Sequence, residues 1–275
     1  MDRFAVVNLF GIQGLNIAWY GVIIASGLIL GILIGTLRAR KRGWSSDLVL
    51  DFILLAIPLA IIGARAYYVA FEWDYFAAYP ERIIAINQGG LAIYGAVIGG
   101  FLAAFFFSRA AKFPFLKLID LLIPSLILGQ AIGRWGNLIN QEAYGALITN
   151  PGLQFFPLAV YIEAIGEWHQ ATFFYESVCN AILFVVTLLL GRKNAKDGTL
   201  LATYFIGYGI ARTVIEGLRT DSLYLFGTIR VSQALSALLV LVGIALLVLI
   251  RTGKIRTKAY EGKYCVILPE ETDEA

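Results

Sequence analysis

With 275 residues, 59% of them hydrophobic and 15% charged, and a mean hydropathy of +0.75, the chain is too apolar for a soluble domain of its size. Its single histidine and two cysteines argue against a metalloenzyme, because neither Cys179 nor Cys265 sits in a ligand pattern and one histidine builds no cluster; the net charge of +3 matters less than where the positive charges sit. A disulfide between a cysteine in a span and one in the tail is not expected either. Apolar stretches recur at membrane-spanning length. The expected fold is all-α: a polytopic integral membrane protein with about seven transmembrane helices. It is read as a single membrane-embedded domain over residues 1–275, with a small extracytoplasmic cap at 139–170 and a cytoplasmic tail at 251–275. The N-terminus lacks the charged region and small-residue cleavage site of a signal peptide, so the first apolar segment is expected to stay as a helix.

That first span covers residues 17–37. Gly27, Gly31 and Gly35 recur there every four residues, a stripe suited to close helix packing. Trp19-Tyr20-Gly21 at its start reads as an aromatic anchor. A basic loop, Arg38-Ala39-Arg40-Lys41-Arg42, leads to a second span at about 48–71, interrupted by Pro58 and carrying Arg65, which a buried ion pair would explain. Residues 72–88 form a polar and aromatic connection, and a third span covers about 90–108. After Arg109, Lys112 and Lys117, the apolar run 118–132 makes most of a fourth span. It then breaks into GRWGNLINQEAYG, residues 133–145.

A charge at membrane depth costs roughly 2.5–3.5 kcal/mol on insertion scales, so this break is a functional candidate. On a helix, Arg134, Asn137 and Gln141 share one face, and Gly133 and Gly136 would let a lipid head group or another backbone come close. The alternative is an arginine snorkelling to the interface among polar helix-end residues. Residues 139–170 show no clean span, and His169 near their end reads as a solvated interfacial histidine. A fifth span covers about 171–190, followed by Arg192, Lys193 and Lys196. In the sixth, 199–217, Tyr204, Tyr208, Arg212 and Glu216 recur every four residues, a polar stripe that hydrocarbon would not accommodate. Arg212 and Glu216 are spaced for an ion pair. The seventh, about 231–250, is uniformly apolar after Ser232 and Gln233 and reads as a packing helix.

In a seven-span arrangement the basic residues at 38–42, 109–117, 192–196 and 251–258 all fall on one side. The positive-inside rule makes that side cytoplasmic, with the N-terminus and cap outside and the C-terminus inside. The tail lies away from the proposed site and is expected to be dispensable for chemistry.

GRWGNLINQEAYG resembles the signature of prolipoprotein diacylglyceryl transferases, G-R-x-G-N-x-x-N-x-E-x-x-G, with Arg134, Asn137, Glu142 and Gly145 in matching places. Further similar segments run from Trp19 to Arg219: the W-Y-G with Tyr20, the G-x-R at Gly63-Ala64-Arg65, and Asp120, Pro124 and Gln130 before the signature. Tyr175-Glu176 ends a loose version of H-P-x-Q-L-Y-E, and Tyr208, Arg212, Glu216 and Arg219 match Y-x-x-x-R-x-x-x-E-x-x-R. Many members carry histidine where Tyr94 stands.

The resemblance implies a bacterial cytoplasmic-membrane enzyme of lipoprotein biosynthesis, without cofactor and without a nucleic-acid partner. It would transfer the diacylglyceryl group of phosphatidylglycerol to the lipobox cysteine of prolipoprotein signal peptides, releasing glycerol 1-phosphate. It implies Arg134, Arg212, Glu142 and Tyr94 as catalytic residues. Arg134, Asn137, Gly145, Tyr20, Tyr208, Glu216 and Arg219 are implied to bind substrate. Glu142 or Glu216 would orient an arginine or accept a proton, with Tyr94 and Tyr208 as alternatives. A transporter for an anionic lipid or metabolite is the other function that intramembrane arginines and glycines suit.

Overall fold

The computed structural model describes residues 4–7, 16–86, 89–192, 195–220, 224–225, 229–257 and 259–266. Among them are eight α-helices: α1 (Trp19–Lys41), α2 (Asp47–Phe71), α3 (Trp73–Ala78), α4 (Ile93–Ala110), α5 (Phe115–Asn140), α6 (Thr172–Arg192), α7 (Thr199–Leu218) and α8 (Val231–Arg251). Three two-stranded antiparallel pairs join them: β1 (Phe4–Val6) with β2 (Ile17–Ala18), β3 (Ala159–Ile162) with β4 (Glu167–Gln170), and β5 (Tyr224–Leu225) with β6 (Ile229–Arg230). Lys193 lies outside the described residues, as do the last residue of the expected connection 72–88, the last of the basic stretch 251–258 and the tail beyond Val266.

Six helices (α1, α2, α4, α5, α6 and α8) are long and apolar enough to cross a membrane, as a polytopic membrane protein requires. Helices suit that setting because they satisfy their own backbone groups. The remaining expected span, α7, forms with 20 residues, but its polar stripe keeps it less apolar than those six. Pro58 and Pro124 lie inside α2 and α5 without ending them. The connection 72–88 is more ordered than expected, containing α3 and a single helical turn at Pro80–Arg82.

The described residues divide into two compact units, one within 1–34 and 122–256, the other within 35–121 and 257–275. In the first, the glycine stripe of α1 meets α5: a Cβ on Gly27 would stand 3.6 Å from Gly129 Cα, and one on Gly31 3.4 Å from the Ser125 carbonyl. Helices α7 and α8 approach closer still, since a Cβ on Gly209 would stand 2.7 Å from the Ser236 carbonyl. Gln233 Nε2 also donates to the Thr213 carbonyl at 3.1 Å, so α8 does serve as a packing helix.

In the second unit, α2 and α4 cross at Gly63, Gly95 and Gly99. A Cβ on Gly95 would collide with the Gly63 carbonyl, and one on Gly99 would lie 2.9 Å from Ala60 Cα; only glycine permits that approach. Arg65 is buried here, and among the described residues it makes no ion pair of the kind expected. Its Nε donates to the Ile83 carbonyl at 2.8 Å, Nη1 to those of Gly89 and Gly90 at 2.8 Å each, and Nη2 to that of Arg82 at 2.6 Å. The guanidinium also lies 5.0 Å from the Phe76 ring centroid. Gly90 is held at φ 75°, a backbone conformation that favours glycine. The described end of the tail is packed rather than free. Tyr260 lies on Phe113 at 4.4 Å, the Tyr264 hydroxyl donates to Asp51 at 2.8 Å, and the Tyr264 carbonyl accepts from Ser45 N at 2.7 Å.

Candidate active site

Helix α5 carries its apolar character to Ile132 and remains helical through most of the signature, ending at Asn140. Gln141 and Ala143 then turn the chain with φ of 52° and 57°, and Glu142 N returns to the Asn137 carbonyl at 3.1 Å. Four successive residues point four ways, as about 100° per residue requires. Gly133 faces Ile24 of α1. Arg134 faces Glu176 of α6. Trp135 donates to Ser177 Oγ at 3.1 Å and packs on Phe156, Phe173 and Phe174. Gly136 lies beneath Tyr20, whose Cε2 would be 2.7 Å from a Cβ there. The space at Gly136 is therefore filled by an aromatic ring from α1, rather than by a head group or a backbone.

Glu176 is the centre of the arrangement. It is buried near the start of α6, and one carboxylate oxygen pairs with Arg134 Nη2 while the other accepts from Arg212 Nη1 at 2.9 Å. Arg212 Nη2 pairs in turn with Glu216 Oε2 at 2.7 Å, one turn along α7, which is the ion pair the spacing suggested. The Arg230 side chain donates to the Glu216 carbonyl. Both carboxylates are almost inaccessible, whereas the side chain of Arg134 is 23% exposed and that of Arg212 14%. Tyr208 lies beside Arg134 and stacks on Tyr204 at 5.4 Å, whose hydroxyl accepts from Gln130 Nε2 at 2.8 Å.

Three arginines against two carboxylates leave this buried network net positive. The carboxylates fix the guanidinium planes, and the exposed edge of Arg134 keeps N–H donors for a ligand. A planar, permanently charged pair of this kind suits a phosphate oxyanion.

Arg134, Arg212, Tyr208 and Glu216 thus come together in one unit, with Tyr20 against the same end of α5. Asn137 follows Arg134 by three residues and its side chain is half-buried. Gly145 occupies a crowded crossing, where a Cβ would lie 2.9 Å from both Gln170 Cβ and Thr172 Cγ2, and it pairs with Arg219 at the end of α7. Glu142 is exposed, accepts from Asn140 Nδ2 at 3.1 Å, and makes no ion pair with an arginine among the described residues. Tyr94 belongs to the other unit, beside Tyr67 at 6.2 Å. His169 is buried rather than solvated: Nδ1 bonds the Gly145 carbonyl at 2.8 Å, Nε2 approaches Glu167 at 3.2 Å, and the ring packs on Tyr144 at 4.6 Å.

The bridging Glu176 and the contribution of Arg230 are absent from the site expected from sequence. A signal for Glu176 existed: a carboxylate inside a span requires a cationic partner, and two arginines in other spans were available.

Residues 7–249 match the family model described as prolipoprotein diacylglyceryl transferase. The chain is 46% identical over 255 residues to the phosphatidylglycerol–prolipoprotein diacylglyceryl transferase of Oceanobacillus iheyensis, covering 90% of this chain and 88% of that protein. With the enzyme of the same name from Listeria innocua it shares 45% identity over 243 residues, 86% and 87% of the two chains. With that of Lysinibacillus sphaericus the identity is 42% over 245 residues, 87% and 90%.

Proposed function

The chain belongs to the prolipoprotein diacylglyceryl transferase family, and from that premise we propose that its Glu176-bridged arginines hold the phosphate of phosphatidylglycerol while the diacylglyceryl group passes to a prolipoprotein. The acceptor is the lipobox cysteine of a signal peptide. Its thiol loses a proton, because the thiolate is the nucleophile. The sulfur attacks the glyceryl carbon bearing the phosphate, a thioether forms, the carbon–oxygen bond breaks, and glycerol 1-phosphate leaves with the bonding electrons.

The observation that carries this reading is the Arg134–Glu176–Arg212–Glu216 chain of ion pairs. As the carbon–oxygen bond breaks, negative charge gathers on the leaving phosphate, and donors already oriented toward it lower the barrier without reorganising. Asn137, one turn beyond Arg134, is proposed to add an amide donor, and Tyr20 and Tyr208 to flank the bound lipid. Arg219 and Gly145 anchor the chain where the cap leaves α5. Glu142, whose carboxylate is not engaged by arginine among the described residues, is proposed to take the thiol proton. Family membership favours the transferase over the transporter.

The protein is a multi-pass membrane protein, and its orientation is proposed as N-terminus out and C-terminus in. The support is the gathering of Arg38, Arg40, Lys41, Arg42, Arg109, Lys112, Lys117, Arg192, Lys196, Arg251, Lys254 and Arg256 in alternate connections. The function is tested by incubating purified protein with phosphatidylglycerol and a lipobox peptide. A diacylglyceryl mass gain on the cysteine with matching release of glycerol phosphate is expected. Neither product from a folded protein would overturn the proposal.

A further inference from the structure

One helical turn inward from the ion pairs lies a second polar layer that the chemistry above does not use. Gln130 precedes Arg134 by four residues on α5, and Asn180 follows Glu176 by four on α6. Each therefore steps about 5–6 Å from the cluster toward the middle of its helix. Tyr204 sits at the same depth on α7, bonded to Gln130 at 2.8 Å. The inward face of α6 carries Asn180: Ser177 just before it donates to the Ala131 carbonyl of α5 at 2.8 Å. Leu183 just after it meets α7, where its Cδ1 would be 2.6 Å from a Cβ on Gly207.

Asn180 is 1% exposed, yet its Nδ2 makes no hydrogen bond among the described residues, and the buried amide oxygen of Gln130 makes none either. Unpaired amides are costly in a buried site and most of all within hydrocarbon, so the pair implies a partner. The ends of a glutamine amide are assigned from their neighbours. As placed, Gln130 Nε2 donates to the Tyr204 hydroxyl; with the amide turned over, the hydroxyl donates to the Gln130 oxygen instead, the NH2 group takes the unpaired position, and the layer presents two N–H donors. Groups that only accept, a few covalent bonds from a phosphate, are the acyl ester carbonyls of a phospholipid.

We infer that Gln130, braced by Tyr204, and Asn180 form a subsite that hydrogen-bonds the acyl ester carbonyls of the lipid donor and so selects diacyl over dialkyl lipids. The inference rests on the proposed function for placing the phosphate at the arginines.

The test offers the purified full-length protein equimolar diacyl phosphatidylglycerol and its dialkyl ether analogue of equal chain length, which keeps the phosphate and head group but lacks both carbonyls. Retained lipid is read by native mass spectrometry, and KM is measured for transfer from each lipid. Retention of the diacyl form by roughly 10-fold over the ether, with KM lower by a similar factor, is expected from two hydrogen bonds. Asn180→Leu and Gln130→Leu should each shrink that preference. Equal retention of both lipids by the wild-type protein overturns the subsite whether or not transfer occurs. A clear diacyl preference without transfer keeps the subsite and overturns the transferase reading instead.

Discussion

In one unit, Arg65 is buried among four backbone carbonyls and two aromatic faces, with no carboxylate partner among the described residues. In the other, Arg134 and Arg212 share one buried carboxylate, and Arg134 remains partly accessible. Arginine has five N–H donors. Arg65 spends four of them on its own backbone, tying a helix to the loop that follows it. Arg134 spends donors on Glu176 and the neighbouring Tyr208, and at its accessible edge others have no partner among the described residues. Charge alone thus does not separate the two arginines; what suits Arg134 to the proposed phosphate role is a counter-charge that orients it and leaves donors over.

Removing the counter-charge should have the largest effect. Glu176→Gln leaves two arginines without their shared carboxylate, and breaking a buried pair costs about 3–5 kcal/mol, so transfer should fall by more than roughly 100-fold. Single-turnover transfer checks this, with melting in detergent as the control; a variant within tenfold of wild type would break the comparison. Arg134→Ala should cost roughly 10- to 150-fold in rate with the melting temperature nearly held, because Glu176 keeps Arg212. Arg65→Ala should do the reverse, lowering the melting temperature and folded yield while the surviving folded protein keeps its KM for lipid. Gly136→Ala sharpens the picture at the α1 contact: the added methyl displaces the Tyr20 ring, and overpacking of about 1–3 kcal/mol should appear as a roughly tenfold drop in turnover. The smallest effect is expected from truncation after Thr257, which removes the Tyr260 and Tyr264 contacts. It should lower the melting temperature by a few degrees and leave specific activity within a few-fold.

The spans were legible because apolar runs of membrane length have few alternatives, and the α7 stripe was legible because residues four apart share a face. The Arg212–Glu216 pair followed from that spacing. The Glu176 bridge did not, because its partners lie 42 and 36 residues away in sequence, on other helices. Arg65 suggested an ion pair, since a sequence shows charges but not the loop that folds its carbonyls back around one. His169 suggested a solvated residue for the same reason: its partners, the Gly145 carbonyl and Tyr144, are supplied by the way the chain folds between α5 and α6. The packed tail left no periodic signal at all.

The most direct measurement compares Arg134→Lys with Arg65→Lys in the lipobox-peptide transfer assay, each checked for folding by melting. Lysine keeps the charge and loses the planar fork. Arg134→Lys should remain folded and lose most of its turnover, whereas Arg65→Lys should lose stability and keep its lipid KM. Near-normal turnover by Arg134→Lys would contradict bidentate phosphate recognition by this arginine and leave it as an interfacial anchor that any long cation can replace.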